Sequence, residues 1–371
     1  MDGYAVRAAD TLPAAGVTGA PVPVELTIVE DLPAGRVARR ALGPIQAARI
    51  MTGAPLLKGA DAVVMVEDTE RSDRGVVIKR AVRPGDNIGL AGEDLKKGET
   101  ALERGAVIGP PEIGMLDAAN LVRVPVVRRP EVAVIATGDE IVEPGAKKRR
   151  GQIRNSNGPA LTAMALRAGA EARYLGIARD RSAILAAKLA RARSADVVVL
   201  SGGVSVGNHD LVKEGLRAAG VHPVFWKVRI KPGKPVFFGR RGGQLVFGLP
   251  GNPTSAMVTF LLFVEPALAG MLGRAAPGPV TVPAILAAEI AVKPGLTQFL
   301  RGLVVDRGPV LTVAPYEDQK SGVLRSMVRS RVLIVVPAVA RTSPLAILFA
   351  RTRRSVAGPS LMKEEAAASR R

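Results

Sequence analysis

The sequence predicts an α/β fold, with a central, doubly wound, mostly parallel sheet domain, flanking β-rich domains and a small connecting domain. In residues 129–273, apolar runs of strand length alternate with helical patterns, which is typical of parallel sheets covered by helices. On both sides of that block the chain carries short β-prone runs separated by Gly and Pro. A chain of 371 residues is also long for one core. These observations predict an elongated multi-domain protein.

Residues 1–90 are predicted to form a β-rich domain. The motif MDGYA starts it, and the runs PVPVELTIVE, DAVVMVEDT and GVVIKR follow, separated by Gly and Pro turns. Residues 91–128 are predicted to be a connecting segment. Within it, PPEIGMLDAAN has the pattern of a Pro-started helix that leads into a strand.

Residues 129–273 are predicted to form the α/β domain. The predicted strands are EVAVIATG, EARYLGIA, DVVVLSGG, VFWKVRI and LVFGLPG, and the predicted helices are GPALTAMALRAGA, SAILAAKLARAR, DLVKEGLRAAG and the long apolar PTSAMVTFLLFVEPALAGML. In such sheets, ligands bind beyond the carboxyl ends of the strands. The glycine-rich loop SGGVSVGNHD, residues 201–210, follows a strand and is therefore expected to approach a ligand.

Residues 274–341 are predicted to form a C-terminal β-barrel-like domain. Short strands return here in TVPAILAAEI, TQFLRGLVVD and GPVLTVAPY. Residues 342–371 mix Arg, Ser and Ala without a clear period and are predicted to be a basic tail of low order.

Composition excludes several classes of function. The chain has no cysteine, so disulfides, thiolate metal sites and Cys nucleophiles are excluded, and only two histidines leave little basis for a zinc site or a Ser-His triad. The formal net charge of +19 is compatible with nucleic-acid binding, but the basic residues are scattered along the sequence. A small polyanionic substrate explains the positive charge equally well. No apolar run reaches the roughly 18 residues of a membrane helix. We expect a soluble cytoplasmic protein that binds neither a membrane nor a specific nucleic acid.

Four segments place a glycine beside an acidic residue. They are MDGYA, ATGDE, GIARD and SGGVSVGNHD, with the acids Asp2, Glu140, Asp180 and Asp210. Glycines allow close backbone approach, and N–H groups at a helix start bind phosphate. Acids at such places repel phosphate unless a hard cation lies between, so the combination indicates Mg²⁺ held by carboxylates and substrate phosphates. Each acid taken alone is better explained as a helix N-cap.

Two turns have the composition of an anion-binding site. In IKPGKPVFFG, two prolines and a glycine fix the positions of Lys231 and Lys234, as in either a rigid anion clamp or a solvated basic turn. In GLPGNPTSA, Pro250 and Pro253 rigidify a strand-to-helix junction. There Asn252, with a following hydroxyl residue, is expected to cap the helix, and N–H groups of the helix start are available to an anion.

Thr52 lies in TGAPLLKGADAVVMVEDT, which is explained well as a hairpin with turns at GAP and KGAD. Only the Thr52 hydroxyl and the neighbouring acids indicate a site contributed from another domain or subunit.

Eight segments resemble one family in the right order. They are MDGYAV, TGAPLLKGADAVVMVEDT, GDNIGLAGED, VAVIATGDEIVEPG, GQIRNSNGP, SGGVSVGNHDLVKE, FWKVRIKPGKPVFFG and VFGLPGNPTSA. They resemble the molybdopterin molybdotransferase family, which includes bacterial MoeA and the E domain of gephyrin. The resemblance implies a molybdopterin-binding type of α/β domain and a transferase of molybdenum cofactor biosynthesis. Such an enzyme inserts molybdate into adenylylated molybdopterin with Mg²⁺ and releases AMP.

The resemblance also implies roles for individual residues. The catalytic residues that it implies are Asp2, Thr52, Glu140, Asp180, Asp210, Pro250 and Pro253. The substrate-binding residues that it implies are Ser201, Gly202, Gly203, Ser205, Gly207, Lys231, Lys234, Arg301 and Ser321. Among these, Asp180, Asp210 and Glu140 are the expected Mg²⁺ ligands, and Arg301 and Ser321 are expected near molybdate.

The resemblance further implies a homodimer with the site between subunits, and an upstream molybdopterin adenylyltransferase that supplies the substrate. In the family a stretch before MDGYA completes an elongated connecting domain, so residues 91–128 are expected to be the remnant of that domain and the start to be truncated. Two alternatives to an active enzyme stay open. One is a truncated, inactive paralogue, and the other is a non-catalytic scaffold or binding module with the same fold.

Overall fold

The computed structural model describes most of the chain as two compact units, Met1–Ala101 and Leu102–Arg371. The described residues are 2–15, 23–203, 211–274, 278–290, 295–306, 311–338 and 345–348, the last of these as backbone.

The first unit is built around one six-stranded sheet. Its strands are β1 Gly3–Val6, β2 Val24–Leu32, β3 Gln46–Ile50, β4 Ala62–Met65, β5 Thr69–Arg71 and β6 Val76–Ile78, with 3-10 helices at Ala8–Ala15 and Val66–Asp68. The strand order is β4-β1-β3-β2-β6-β5, and the pair β2–β3 is parallel. Gly3 allows β1 to approach β4, because a Cβ at this position would lie 2.0 Å from the carbonyl oxygen of Val64.

The second unit begins with helix α1, Pro110–Ala118, which has Pro at its start as predicted. The prediction that a strand follows this helix is wrong, because residues 121–130 form no strand. Pro125 in this stretch lacks the N–H that a ladder requires, and Val122 and Val126 are 85% and 68% exposed, so no sheet face covers them.

The central sheet of the second unit has six strands in the order β10-β7-β11-β15-β14-β12. Its strands are β7 Glu131–Thr137, β10 Glu171–Ala178, β11 Val197–Ser201, β12 His222–Trp226, β14 Phe237–Arg241 and β15 Gln244–Leu249. The short strands β8 Ile141–Val142, β9 Ile153–Arg154 and β13 Ile230–Lys231 lie between these strands along the chain but are not part of this sheet. The first four strands in the order are parallel and the last two are antiparallel.

Helices cover both faces of this sheet. They are α2 Asn157–Arg167, α3 Ser182–Arg191, α4 Leu211–Ala218, and a continuous helix made of α5 Pro253–Thr259, a π-helical turn Phe260–Val264 and α6 Glu265–Met271. Strand β11 shows the layering, because Val197 and Val199 pack with α2 and α5, whereas Val198 and Leu200 pack with α3 and α4. Burial on both faces explains why this strand is apolar from Val197 to Leu200.

The helix from α5 to α6 corrects one expectation. It spans 19 residues, Pro253–Met271, with a mean hydropathy of 1.5, and within the described ranges it alone has the length and composition of a membrane span. The expectation that no apolar run reaches that length is therefore wrong. About half of the helix, 56%, is buried against the sheet, which is common for a core helix of a soluble protein.

The strands described between Thr281 and Leu348 form a closed barrel. Its strands are β16 Thr281–Leu286, β17 Thr297–Asp306, β18 Leu311–Pro315, β19 Val332–Val336 and β20 Leu345–Leu348, with helix α7 Leu324–Arg329 between β18 and β19. The order β17-β18-β16-β20-β19 closes through a further pairing of β19 with β17, and β13 joins the edge of β17. Strand β20 lies in the stretch predicted to be of low order. The domain boundaries at residues 90, 128, 273 and 341 remain predictions.

Candidate active site

Three loops of the central sheet meet at its carboxyl edge. Strands β7, β11 and β15 are adjacent, and Ser201 at the end of β11 pairs with Ala136 on one side and Leu249 on the other. The hydroxyl of Thr137 donates to the Ser201 carbonyl oxygen at 3.3 Å, and the Gly202 N–H donates to the Leu249 carbonyl oxygen at 3.0 Å. The loops after the three strands therefore start side by side, where parallel sheets bind ligands.

The two glycines after Ser201 are required by the backbone. Gly202 and Gly203 have φ of +96° and +69°. A Cβ on Gly202 would lie 2.6 Å from the Thr137 carbonyl oxygen, and one on Gly203 would lie 2.3 Å from Cγ2 of Val212. Close packing between strand end and helix thus accounts for both glycines. The remaining residues predicted in this loop, Ser205, Gly207 and Asp210, lie outside the described residues.

Asn157, the first residue of α2, joins two of these loops, and sequence reasoning missed it. Its Nδ2 donates to Ser201 Oγ at 2.8 Å and to the Gly251 carbonyl oxygen at 2.7 Å. The only signal in the sequence was its place in GQIRNSNGP, a segment that carried the resemblance without a role for any residue in it.

The predicted acids Glu140 and Asp180 lie in loops that follow the neighbouring strands β7 and β10. Both are exposed, and no ion pair to either is present within the described ranges. Asp139 links the loops, because its Oδ1 accepts from the Asp180 N–H at 3.2 Å and its carbonyl oxygen accepts from Arg179 Nη1 at 2.7 Å. Sequence reasoning had not assigned Asp139.

A pocket opens between these loops and helices α3 and α4. It is lined by Thr137, Ala178, Arg179, Asp180, Arg181, Leu185 and Val212. In the part of the chain that the structure describes, no three acidic or histidine side chains cluster closely enough to form a metal site by themselves. Among the lining residues, the polar groups are the Asp180 carboxylate, the two arginines and the Thr137 hydroxyl.

The turn after β15 is held by the barrel. Asn252 Nδ2 donates to Ser321 Oγ at 2.8 Å, and the Thr254 N–H donates to the Ser321 carbonyl oxygen at 3.1 Å. Asn252 occupies the N-cap position of α5, as predicted, but its side chain forms no cap hydrogen bond. The Asn252 carboxamide donates to the barrel loop instead, and the Ser321 carbonyl oxygen accepts the hydrogen bond from an N–H group at the helix start.

Arg301 on β17 is buried, with 1% of its surface exposed. Its Nε donates to Ser326 Oγ at 3.2 Å, and its Nη2 donates to the carbonyl oxygens of Asp318 and Lys320 at 3.4 and 3.2 Å. Burial lowers the pKa of the Arg301 guanidinium, and Asp318 partly opposes this. Arg301 thus fixes the loop that ends at Ser321, and its contact with substrate stays a prediction.

Lys231 and Lys234 lie on an anchored turn. Both side chains are exposed, while Pro232 and Gly233 between them are buried. Gly233 has φ of +107°, and a Cβ there would lie 2.3 Å from Thr259 Cγ2, so the turn packs directly on α5. Two exposed cations on a fixed backbone are available to an anion.

Asp2 and Thr52 meet in the first unit. Asp2 Oδ1 accepts from the Thr52 N–H at 2.8 Å and from Thr52 Oγ1 at 2.9 Å. The backbone bond, followed by the hydroxyl bond, lowers the pKa of the Asp2 carboxyl. Two donors on one carboxylate oxygen stabilise its charged form.

Three family models match successive parts of the chain. The MoeA N-terminal region (domain I and II) matches residues 1–120, the probable molybdopterin binding domain matches residues 133–270, and the MoeA C-terminal region (domain IV) matches residues 283–342. The chain belongs to the MoeA family. The resemblance predicted from the eight segments is confirmed by these matches.

MoeA-family relatives match along most of the chain. The molybdopterin molybdenumtransferase of Bacillus subtilis is 35% identical over 345 residues, which is 92% of this chain and 79% of the relative. Molybdopterin molybdenumtransferase 2 of Mycobacterium tuberculosis is 39% identical over 343 residues, covering 91% of this chain and 83% of the relative.

Solved MoeA structures confirm the predicted fold class. A crystal structure of the molybdopterin biosynthesis MoeA protein of Pyrococcus horikoshii matches with a TM-score of 0.77 and 31% identity. A second structure of that protein matches with a TM-score of 0.73 and 34% identity. Each match covers 94% of this chain and 86% of the MoeA chain.

Proposed function

We propose that this chain is a molybdopterin molybdenumtransferase that inserts molybdate into adenylylated molybdopterin and releases AMP. Family membership supports transfer of molybdenum. The observation that supports molybdate insertion with release of AMP is the arrangement at the carboxyl edge of the sheet. There the loop of Gly202 and Gly203, the loops with the exposed carboxylates and the turn at Pro250 to Pro253 start from neighbouring strands. Of the two glycines, Gly203 is exposed and its backbone suits a nucleotide phosphate, and hydroxyl and cationic groups suit an oxyanion.

The residues of this edge have the donor chemistry that Mg²⁺ requires. Mg²⁺ commonly binds through one or two carboxylates while water and substrate phosphates complete its shell, so a cluster of three acids is unnecessary. Glu140 and Asp180 are exposed oxygen donors outside any described ion pair. With Asp210 they are the proposed ligands. At these carboxylates, a bound Mg²⁺ would supply charge neutralisation for the phosphoanhydride.

The chain's own cations are proposed to hold the oxyanions. Cleavage of a phosphoanhydride needs charge neutralisation more than a covalent nucleophile, which agrees with the absence of cysteine from the sequence. Lys231 and Lys234 provide exposed ammonium groups on a fixed turn. Arg301 fixes the loop of Ser321, whose hydroxyl is proposed to face molybdate.

Pro250, Pro253, Asp2 and Thr52 are proposed to belong to the catalytic machinery. The two prolines restrict the turn that carries Asn252, so little entropy is lost when substrate orders it. The two donors from Thr52 lower the pKa of the Asp2 carboxyl and so favour its charged form.

The test is AMP release from adenylylated molybdopterin, measured with and without molybdate and Mg²⁺. We expect release by the wild type only when both are present, and a large loss in Asp180→Asn, which keeps the size of the side chain but removes its charge. Glu171→Gln is the matched control, because Glu171 is an exposed acid at the opposite end of β10. A folded wild type that binds the substrate and releases no AMP would contradict the proposal and favour the scaffold alternative.

A homodimer in the cytoplasm is also proposed, supplied with substrate by a molybdopterin adenylyltransferase. Exposed apolar side chains around α1 support a subunit interface, including Ile113, Val122 and Val126 at 53%, 85% and 68% exposure. Sedimentation velocity is expected to give a dimer that Val122→Asp with Val126→Asp converts to a monomer. A wild type that sediments as a monomer at all concentrations would refute the dimer.

A further inference from the structure

The carboxamide of Asn157 lies between two loops of the candidate active site. Nδ2 donates to Ser201 Oγ at 2.8 Å and to the Gly251 carbonyl oxygen at 2.7 Å. Ser201 ends β11, and Gly251 lies in the turn between β15 and α5. The two loops are 44 and 94 residues away from Asn157 along the chain, so this one side chain ties together distant segments.

The Gly251 carbonyl decides the orientation of the carboxamide. A carbonyl oxygen only accepts hydrogen bonds, so Nδ2 of Asn157, and not Oδ1, must face Gly251. Nδ2 is then also the group that contacts Ser201, and Ser201 Oγ is the acceptor. The Ser201 hydroxyl consequently keeps its own hydrogen for another acceptor, and among the described residues none takes it.

The start of α2 is stabilised by a different asparagine. Asn155 Oδ1 accepts from the Gly158 N–H at 3.0 Å, and Asn155 Nδ2 donates to the Tyr174 hydroxyl at 2.6 Å. Among the described residues, the Asn157 side chain donates to Ser201 and Gly251, and neither of these lies in α2. The helix therefore does not require the Asn157 carboxamide, which is used on the loops alone.

We infer that Asn157 is a positioning residue that ties the loop after β11 to the turn after β15 and leaves the Ser201 hydroxyl as a donor to an oxyanion. The inference rests on the proposed function, in which that oxyanion is a phosphate oxygen of adenylylated molybdopterin. The turn is also held from its other side, because Asn252 donates to Ser321 Oγ. The turn after β15 is thus connected to the loop after β11 through Asn157 and to the loop of Ser321 through Asn252.

The kinetic test is a double-mutant cycle on AMP release. Asn157→Ala removes two hydrogen bonds and is expected to lower kcat/KM by about 10- to 30-fold. Ser201→Ala is expected to cost a similar factor, and the double variant less than the product of the two factors, because both single variants remove the Asn157–Ser201 hydrogen bond. Thr162→Ala on the same helix is the control and is expected to behave as the wild type, since Thr162 only donates to the Gly158 carbonyl oxygen.

Asn157→Asp separates a positioning role from a structural one. An acidic residue at a helix start is favourable for the helix, so the variant is expected to keep the melting temperature of the wild type. Its carboxylate accepts the Ser201 hydroxyl hydrogen and repels the Gly251 carbonyl oxygen. We expect a larger fall in kcat/KM than in Asn157→Ala, with weaker binding of adenylylated molybdopterin.

Amide hydrogen exchange supplies a readout that does not depend on turnover. We expect faster exchange at residues 202–203 and 251–252 in Asn157→Ala, with unchanged exchange in β7 and β11. Wild-type exchange and kcat/KM in this variant, or additive effects with Ser201→Ala, would overturn the inference. If the wild type releases no AMP, faster exchange with weaker substrate binding would still support positioning while the proposed reaction fails.

Discussion

Gly202→Ala tests whether the loop after β11 is shaped by packing against the strand beside it. Gly202 has φ of +96°, and its missing Cβ would lie 2.6 Å from the carbonyl oxygen and 2.9 Å from the hydroxyl oxygen of Thr137. Thr137 cannot retreat easily, since it is 5% exposed and ends a central strand. Alanine at this position therefore meets both an unfavourable backbone conformation and a steric clash.

The expected loss has two parts. A positive φ costs a residue with a Cβ about 1–2 kcal/mol. Overpacking against rigid backbone costs about a further 1–3 kcal/mol. The free energy of unfolding of this domain should fall by about 2–5 kcal/mol in Gly202→Ala. Gly242→Ala isolates the first part, because Gly242 has φ of +59° and nothing within 4 Å of its missing Cβ.

Urea denaturation followed by tryptophan fluorescence measures these losses. The chain has one tryptophan, Trp226, in β12 of the same sheet, with its ring centroid 4.7 Å from that of Phe237. We expect a larger fall in the transition midpoint for Gly202→Ala than for Gly242→Ala at unchanged slope. Equal falls in the two variants would refute the clash with Thr137 as the reason for glycine.

Three further perturbations test other contacts. Arg128 lowers the pKa of Asp196, so the ionised carboxylate stabilises the fold above the unfolded-state pKa of about 4. This stabilisation is lost as the pH falls through the lowered pKa of the folded state. The difference in melting temperature between the wild type and Asp196→Asn should therefore close below about pH 4. Arg301→Lys cannot keep the three hydrogen bonds of the guanidinium and should lower the free energy of unfolding by about 2 kcal/mol or more, as measured by thermal unfolding. Asn252→Asp keeps a good N-cap residue but loses the donor to Ser321, so KM for molybdate should rise at unchanged melting temperature; unchanged KM would contradict this role.

Local patterns predicted most of the fold. The run Val197–Leu200 of β11 is apolar because its alternate residues are buried on both faces, and that pattern indicates a central parallel strand without further information. The run LVRVPVV shows where this reasoning fails, because β propensity cannot show whether a partner strand is present. Closure of the barrel through β19 and β17 likewise depends on pairings between distant segments.

The candidate site was predicted in part for the same reason. Glycines and acids at strand ends are visible locally, so Gly202, Gly203, Glu140 and Asp180 were expected. The contacts of Asn157 with Gly251 and of Asn252 with Ser321 span 94 and 69 residues, and no local pattern contains them. Asn252 occupies the N-cap position that its local pattern predicts, but its carboxamide contacts Ser321 of the barrel and forms no bond to the helix start.

The capping of α5 by Ser321 limits how modular the chain is. An N–H of the first turn of this helix finds its acceptor on a loop that belongs to the barrel, and Arg301 holds that loop from inside the barrel. An α/β domain excised at residue 273 would expose the start of its longest helix. A chimaera with a barrel from a relative would need the loop and its buried arginine to be exchanged together. The barrel loop and the turn before the helix therefore form one structural unit, although a domain boundary is predicted between them.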